Sequence, residues 1–324
     1  LSTNMEQFAF FRGLLGLAEP TIFAGQIVAV TVWFEKRQRA TANSLCTAGG
    51  SIGTVVAPIV IAWLSTIFPW NDVFVLAGAI GILIAIVWMA VYADPPKEIL
   101  DVTLSESAAN RHHGKAFTWG GLWKTRTLWG VLLIRFVSDP VWYFCLFWLP
   151  GYLQEDSGLT LIQVGWVGWI PFLFGAVGGV LTSAWSDKMV RRGMDPLRAR
   201  KRMMTLVAVA APLCIFTPYF NALPPYWNVA AIIASFSLIA IMCLSWLYTI
   251  CVVIAEAFPV KNVASVVGIT AGAGAVGGAV FNIFIGSLLV TMGNVLFAVM
   301  GVMHLVTAVI LWRMVRHETP KTVK

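Results

Sequence analysis

Val229-Ala-Ala-Ile-Ile-Ala-Ser-Phe-Ser-Leu-Ile-Ala-Ile-Met-Cys-Leu-Ser-Trp-Leu-Tyr-Thr-Ile-Cys-Val-Val253 runs without a charged side chain, a glycine or a proline. A helix needs about 20 apolar residues to cross roughly 30 Å of hydrocarbon. This stretch meets that length, with a few scattered hydroxyls, a phenol and an indole N–H as its only polar side-chain groups. It reads as a membrane span.

Working outward on the same template gives nine spans. They centre on Phe8 to Thr31, Ala40 to Ser65, Val73 to Ala93, Leu128 to Leu153, Leu161 to Trp185, Met203 to Phe220, Val229 to Val253, Val263 to Val290 and Val295 to Leu311. The composition agrees: hydrophobic residues make up 59% and charged residues 11% of the 324, against about 25% charged in soluble domains. That excludes a water-soluble globular domain, a disordered chain and a small disulfide-stapled domain. The fold class expected is all-α integral membrane.

The net charge of +7 reports topology rather than nucleic acid, because the bases fall in short clusters between apolar runs instead of along one face. Lys36, Arg37 and Arg39 follow the first span. Lys97, Arg111, Lys115, Lys124 and Arg126 follow the third, and Lys188, Arg191, Arg192, Arg198, Arg200, Lys201 and Arg202 follow the fifth. Lys261 follows the seventh, and the tail adds Arg313, Arg316, Lys321 and Lys324. Alternate connections thus hold all but two of the 22 basic residues, while Ile67 to Asn71, Gln154 to Thr160 and Asn221 to Asn228 hold none. Cytoplasmic loops are enriched in Lys and Arg, so the basic side is inside, the carboxy terminus is cytoplasmic, and the membrane is an inner, plasma membrane.

The polar connection 94–127 divides three spans from six and reads as a cytoplasmic linker between a bundle over 1–93 and another over 128–324. His112 and His113 within it lack the further ligands a metal site requires. Cys46, Cys145, Cys214, Cys243 and Cys251 all lie in apolar runs without paired spacing, as buried small hydrophobes do. No cofactor is expected. The sequence opens on Leu1 with no signal peptide ahead of the first span, so an amino-terminal stretch is expected to precede it.

Arg12 and Arg135 are the two bases left inside spans. A charge at mid-depth costs on the order of 3 kcal/mol on insertion scales, so it marks a cavity or a partner. Arg12 stands in Arg-Gly-Leu-Leu-Gly-Leu-Ala-Glu19, with Glu19 two turns on along the same face, about 10 Å of rise away. A guanidinium fork suits a carboxylate, and a buried glutamate can hold a proton near neutrality. The pair therefore reads as an anion clamp and a proton-coupling site. The alternative is an Arg12 that snorkels to the interface and a Glu19 that bonds a neighbouring helix.

Arg135 and Asp139 sit four residues apart, where opposite charges neutralise each other. Pro140 deprives the Phe136 carbonyl of its donor, which favours a bend or break of the kind that lines cavities. Trp142 and Tyr143 add rings with polar tips. The reading is a cavity wall, with a structural ion pair as its rival. Asn43, Thr47 and Ser51 recur every four residues as a polar stripe, and Ser245 and Trp246 are further cavity candidates, with core packing the alternative. Gly49-Gly-Ser-Ile-Gly53 has the spacing of a hydrolase elbow, but it lies in a helical run without a histidine at its depth. No enzyme is expected. Gly268 with Gly272, and Gly274 with Gly278, allow close helix approach. Asp187, Lys188, Arg191 and Arg192 could latch a cytoplasmic gate.

Ser186-Asp-Lys-Met-Val-Arg-Arg-Gly193, following Gly178-Gly179, resembles the loop signature of the major facilitator superfamily in its second-half copy, and Arg12 with its glycines resembles that superfamily's fourth-helix motif. More narrowly, Arg12 to Glu19, Trp33-Phe34, Phe136-Val-Ser-Asp-Pro-Val-Trp-Tyr-Phe-Cys-Leu-Phe-Trp-Leu-Pro150, Glu256-Ala-Phe-Pro259 and Ser265 to Gly278 resemble the anion:cation symporter family, hexuronate transporter branch. The resemblance implies a major facilitator superfamily helical bundle with nine of twelve spans: helices four to six, the linker, and helices seven to twelve. It also implies proton-coupled symport of a sugar acid such as galacturonate or glucuronate by alternating access. Arg12 would take the substrate carboxylate and Glu19 the coupling proton, with a small organic anion, protons and the lipid bilayer as partners in a monomer. Where related carriers place amide side chains, this sequence has Gly50 and Gly272, so the hydroxyl-reading contacts differ. The rivals are a same-family carrier of an aldonate, aldarate, tartrate or aromatic acid, and a nontransporting membrane sensor.

Overall fold

The computed structural model describes residues 4–18, 56–93, 117–155 and 157–318, with single positions at 29, 33, 50, 53 and 96. It divides into two compact units between His113 and Gly114, inside the 94–127 connection. Among the described residues every regular element is helical.

In the first unit, α1 (Met5–Ala18) and α2 (Trp70–Val91) meet through edge-to-face rings. Phe8 lies 6.1 Å from Trp70 and 5.7 Å from Phe74, a geometry that sets ring edges against ring faces. A further helical stretch covers 56–64. Only Val73 of α2 is buried, and its exposed face carries Ile82, Leu83, Val87 and Met89. A 22-residue apolar helix with an apolar outside suits hydrocarbon, not water.

The second unit comprises a short α3 (Trp119–Leu122), α4 (Arg126–Glu155), α5 (Leu161–Val167), α6 (Ile170–Arg191) and α7 (Pro196–Val209). A 3-10 helix (Ala211–Ala222), α8 (Pro225–Ala257) and α9 (Val260–Met314) follow. Seven described helices or helix pairs are long and apolar enough to cross a membrane, and they coincide with the last seven expected spans. The first two expected spans lie partly outside the described residues. α4 packs chiefly on α9, and α6 on α8. The core gathers Phe144, Phe236 and Phe297 from three helices, with ring centroids 5.6 to 6.3 Å apart.

Three details depart from the expectations. First, α4 runs unbroken through Pro140 and Pro150; the interruption falls instead at Gly168–Trp169, before Pro171 at the start of α6. Proline φ is helical, and the backbone of Gly277 covers the carbonyl that Pro140 leaves without a donor. Second, the sixth span changes to 3-10 winding where Pro212 and Pro218 remove donors. Third, Cys251 is exposed on α8, unlike Cys145, Cys214 and Cys243, because its position falls on the outward face of the span.

α9 is helical over 55 residues but contains two spans. Asn262 bonds the Phe117 backbone, Gly274 lies against Asp139, and Asn282 accepts the Trp148 indole N–H, so contacts advance along α4. They then retreat, since Met314 lies against Gly130. The chain therefore reverses between Ile285 and Val295, and its two halves run antiparallel.

Side chains fix the basic ends of these helices. The Asp195 carboxylate caps α7 by accepting the Arg198 backbone N–H at 2.9 Å. That bond, with His317 beside it, holds Asp195 below the ordinary carboxylate range despite a little opposing desolvation. Such a cap is worth about 1 kcal/mol, so Asp195→Ala in the full-length protein should lower the thermal unfolding midpoint in detergent by a few degrees. Because the folded-state affinity for protons is depressed, the capped form is favoured above the ordinary aspartate range. This advantage fades as pH falls through the lowered value. The difference between wild type and Asp195→Ala should accordingly shrink on acidification. At the other end of the unit's chain, Glu318 accepts the Thr127 hydroxyl at 2.6 Å and its backbone N–H at 3.3 Å, and so caps α4.

Candidate functional site

Arg12 stands on the third turn of α1, exposed, beside a cleft of about 270 Å³ lined by Phe8, Phe11, Leu15, Trp70, Asn71, Phe74 and Val75. No acidic group among the described residues pairs with it. Glu19, Asn43, Thr47 and Ser51 lie outside the described residues. A guanidinium without an acid partner among the described residues, next to an apolar wall, can take an anion from which water is partly excluded, where a charge-assisted bond is stronger than in water.

In the second unit, Arg135 Nη2 lies 3.0 Å from Asp139 Oδ2, with side chains 12% and 10% exposed. Asp139 Oδ1 accepts the Ser138 hydroxyl at 3.2 Å. The elements bring this pair under the glycines of α9: a Cβ at Gly274 would overlap Asp139 Oδ2, one at Gly277 the Phe136 carbonyl oxygen, and one at Gly278 the Tyr143 ring. Close approach needs residues without side chains here. Gly268 and Gly272, expected to act likewise, face open space within 4 Å. Trp142 is half-buried, its ring 5.8 Å from Phe172, and Tyr143 stacks on Phe147 at 6.0 Å.

Ser245 and Trp246 are both buried. The Ser245 hydroxyl accepts from Thr182 at 2.8 Å and donates to the Ile241 carbonyl at 2.6 Å, tying α6 to α8. The Trp246 indole donates to the Met204 carbonyl at 3.0 Å, with its ring edge-on to His304. A recess of about 730 Å³ between α5, α6 and α8 is lined by Ile170, Phe174, Val229, Ile233 and similar residues. None of the sequence-derived candidates lines it, and an apolar recess on spanning helices fits hydrocarbon rather than a charged solute.

At the basic end, the gate candidates separate. Asp187 pairs with Arg200 of the next helix at 2.6 Å, whereas Lys188, Arg191 and Arg192 are exposed and make no ion pair among the described residues. Arg200 also reaches Glu256 of α8 at 3.3 Å and the buried Ser186 hydroxyl at 2.9 Å. One guanidinium thus ties the ends of α6, α7 and α8. Nearby, Lys201 Nζ donates to the Val315 carbonyl, and His317 lies 3.4 Å from Asp195. Arg200 and Glu256 are the residues missed. Glu256 stood in one of the quoted motifs, but Arg200 counted only as one more inside charge.

Comparison with known proteins completes the picture. A probable L-galactonate transporter of Escherichia coli K12 is 31% identical over 61% of this chain and 45% of its own length. The hexuronate transporter of the same organism is 26% identical over 96% of this chain and 73% of its own length. This chain therefore spans between about half and three quarters of the curated relatives it matches. A D-xylose-proton symporter crystal structure superposes with a TM-score of 0.67 at 15% identity, over 91% of this chain and 68% of that one; this shows a shared fold. The family model described as Major Facilitator Superfamily matches residues 1–252. Multiple membrane-capable helices and that match over more than half the sequence make the chain a member of the major facilitator superfamily.

Proposed function

We propose that the protein moves a sugar-acid anion, a hexuronate such as galacturonate or glucuronate, inward across the membrane together with protons. The observation that carries this reading is Arg12, a guanidinium on α1, in the first expected span, with no acid partner among the described residues and an apolar cleft beside it. Relatives named for hexuronate and galactonate transport support it. Arg12 clamps the carboxylate. Glu19, two turns on, takes the proton that removes a charge opposing closure of the loaded site. Asn43, Thr47 and Ser51 read the sugar hydroxyls, and Arg135, Asp139, Trp142, Tyr143, Ser245 and Trp246 shape the cavity or brace its wall. Asp187, Arg200 and Glu256, with Lys188, Arg191 and Arg192 beside them, form the cytoplasmic latch that releases as the site changes sides.

Glu19→Gln in the full-length protein, reconstituted in vesicles, should lower galacturonate accumulation by at least about tenfold per pH unit of imposed gradient. Counterflow exchange, which needs no net proton movement, should survive. Equal loss of both activities would remove the proton role from Glu19. A second reading, an aldonate as substrate, is favoured by the higher identity to the galactonate relative. Competition of labelled galacturonate uptake by galactonate and galactarate separates the two.

A further inference from the structure

We propose that Asp139 is a second proton-binding carboxylate, and that its protonation makes the Arg135 guanidinium available to an incoming carboxylate. This inference rests on the reading of the protein as a proton-coupled anion carrier. It begins from a buried ion pair that stability alone explains poorly. Pairs taken out of water stabilise little compared with apolar residues of the same volume, and ionisable groups inside spans mark transport sites.

The geometry shows what the pair leaves unused. Asp139 is satisfied on both oxygens, by Arg135 at 3.0 Å and Ser138 at 3.2 Å. Arg135 has five N–H donors, and Asp139 is its only partner among the described residues. Its side chain is 12% exposed, so the remaining donors are within reach of a small solute. On the covered side α9 offers bare backbone: Gly274 lies against Asp139 Oδ2 and near Arg135 Nε, and Gly277 against the Phe136 carbonyl. Among the described residues of the second unit no competing charge faces the pair. The glycines of α9 bring none, α5 contains no titratable residue, and α8 contributes only the thiols Cys243 and Cys251 within electrostatic reach.

Two states follow. With Asp139 ionised, Arg135 is neutralised internally and has little need of a guest. With a proton on Asp139, Arg135 carries an uncompensated charge where screening is weak, and a carboxylate binding there restores neutrality. By linkage, proton and anion each strengthen the other's binding. Both come from the water on the side to which the site is open, and both leave on the opposite side.

The test uses full-length protein in proteoliposomes, with accumulation of labelled galacturonate measured against the imposed pH gradient. Asp139→Asn should accumulate about tenfold less substrate per pH unit than wild type, as loss of one coupled proton requires, while counterflow continues. Asp139→Glu should restore the wild-type slope. Because a lone buried arginine could prevent folding, the neutral pair Arg135→Gln with Asp139→Asn is measured alongside and, lacking the guanidinium as well as the carboxylate, should show the reduced slope together with a raised half-saturating galacturonate concentration. A wild-type slope in either the single or the double variant overturns the proposal and leaves a structural ion pair. Wild-type protein that accumulates nothing under a gradient overturns the carrier reading itself, a result distinguishable from the first.

Discussion

Arg12→Ala in the full-length protein is expected to reduce uptake of a sugar-acid anion at least about 100-fold, with protein abundance in the membrane unchanged. In the closed, loaded site of the proposed cycle the guanidinium and the carboxylate form a pair from which water is excluded; truncating one partner of such a pair costs about 2 to 5 kcal/mol, and each 1.4 kcal/mol is about a factor of ten. Because Arg12 is exposed and makes no ion pair among the described residues, its removal should leave packing nearly intact. The loss would then be one of binding. Arg12→Lys keeps the charge but not the fork and should recover only part of the uptake. Initial rates over a range of galacturonate concentrations check both substitutions.

The second large effect concerns folding. Gly277 lies so close to the Phe136 carbonyl that a Cβ would overlap its oxygen, and Gly278 is similarly covered by the Tyr143 ring. That carbonyl is the one Pro140 leaves without a helical donor, so relief by moving it toward another partner is unavailable within α4. Gly277→Val would have to force α4 and α9 apart. Overpacking of this kind costs about 1 to 3 kcal/mol in cores that can adjust, and more is expected where the obstacle is backbone. Gly277→Val should therefore run as aggregate on size exclusion in detergent. Gly272→Ala, at a position open to 4 Å, should elute as wild type.

The contrast between these two glycines shows what a linear reading can and cannot hold. Hydropathy located the seven spans that the described helices match, because the requirement for about 20 apolar residues is local. Arg135 with Asp139 was legible because four residues make one turn of helix. Which glycine meets a neighbour depends on the rotation of α9 about its axis, and that is decided by partners more than a hundred residues away. The same holds for Arg200, which pairs with Asp187 and Glu256 on two other helices, while the bases of Asp187's own turn make no ion pair among the described residues. Pro140 favoured a bend or a break, and α4 is not broken there; the close approach of Gly277 to the Phe136 carbonyl is a contact from a distant part of the chain. The break at Gly168–Trp169 carried a weaker signal, a proline at the first turn of the following helix.

The central claim is that a carboxylate binds the protein through Arg12, and equilibrium binding tests it without the complication of transport. Purified full-length wild type should bind labelled galacturonate saturably, with displacement by glucuronate and none by the uncharged galactose, while Arg12→Ala should bind none of it. Equal affinity of wild type and Arg12→Ala for galacturonate would contradict the account.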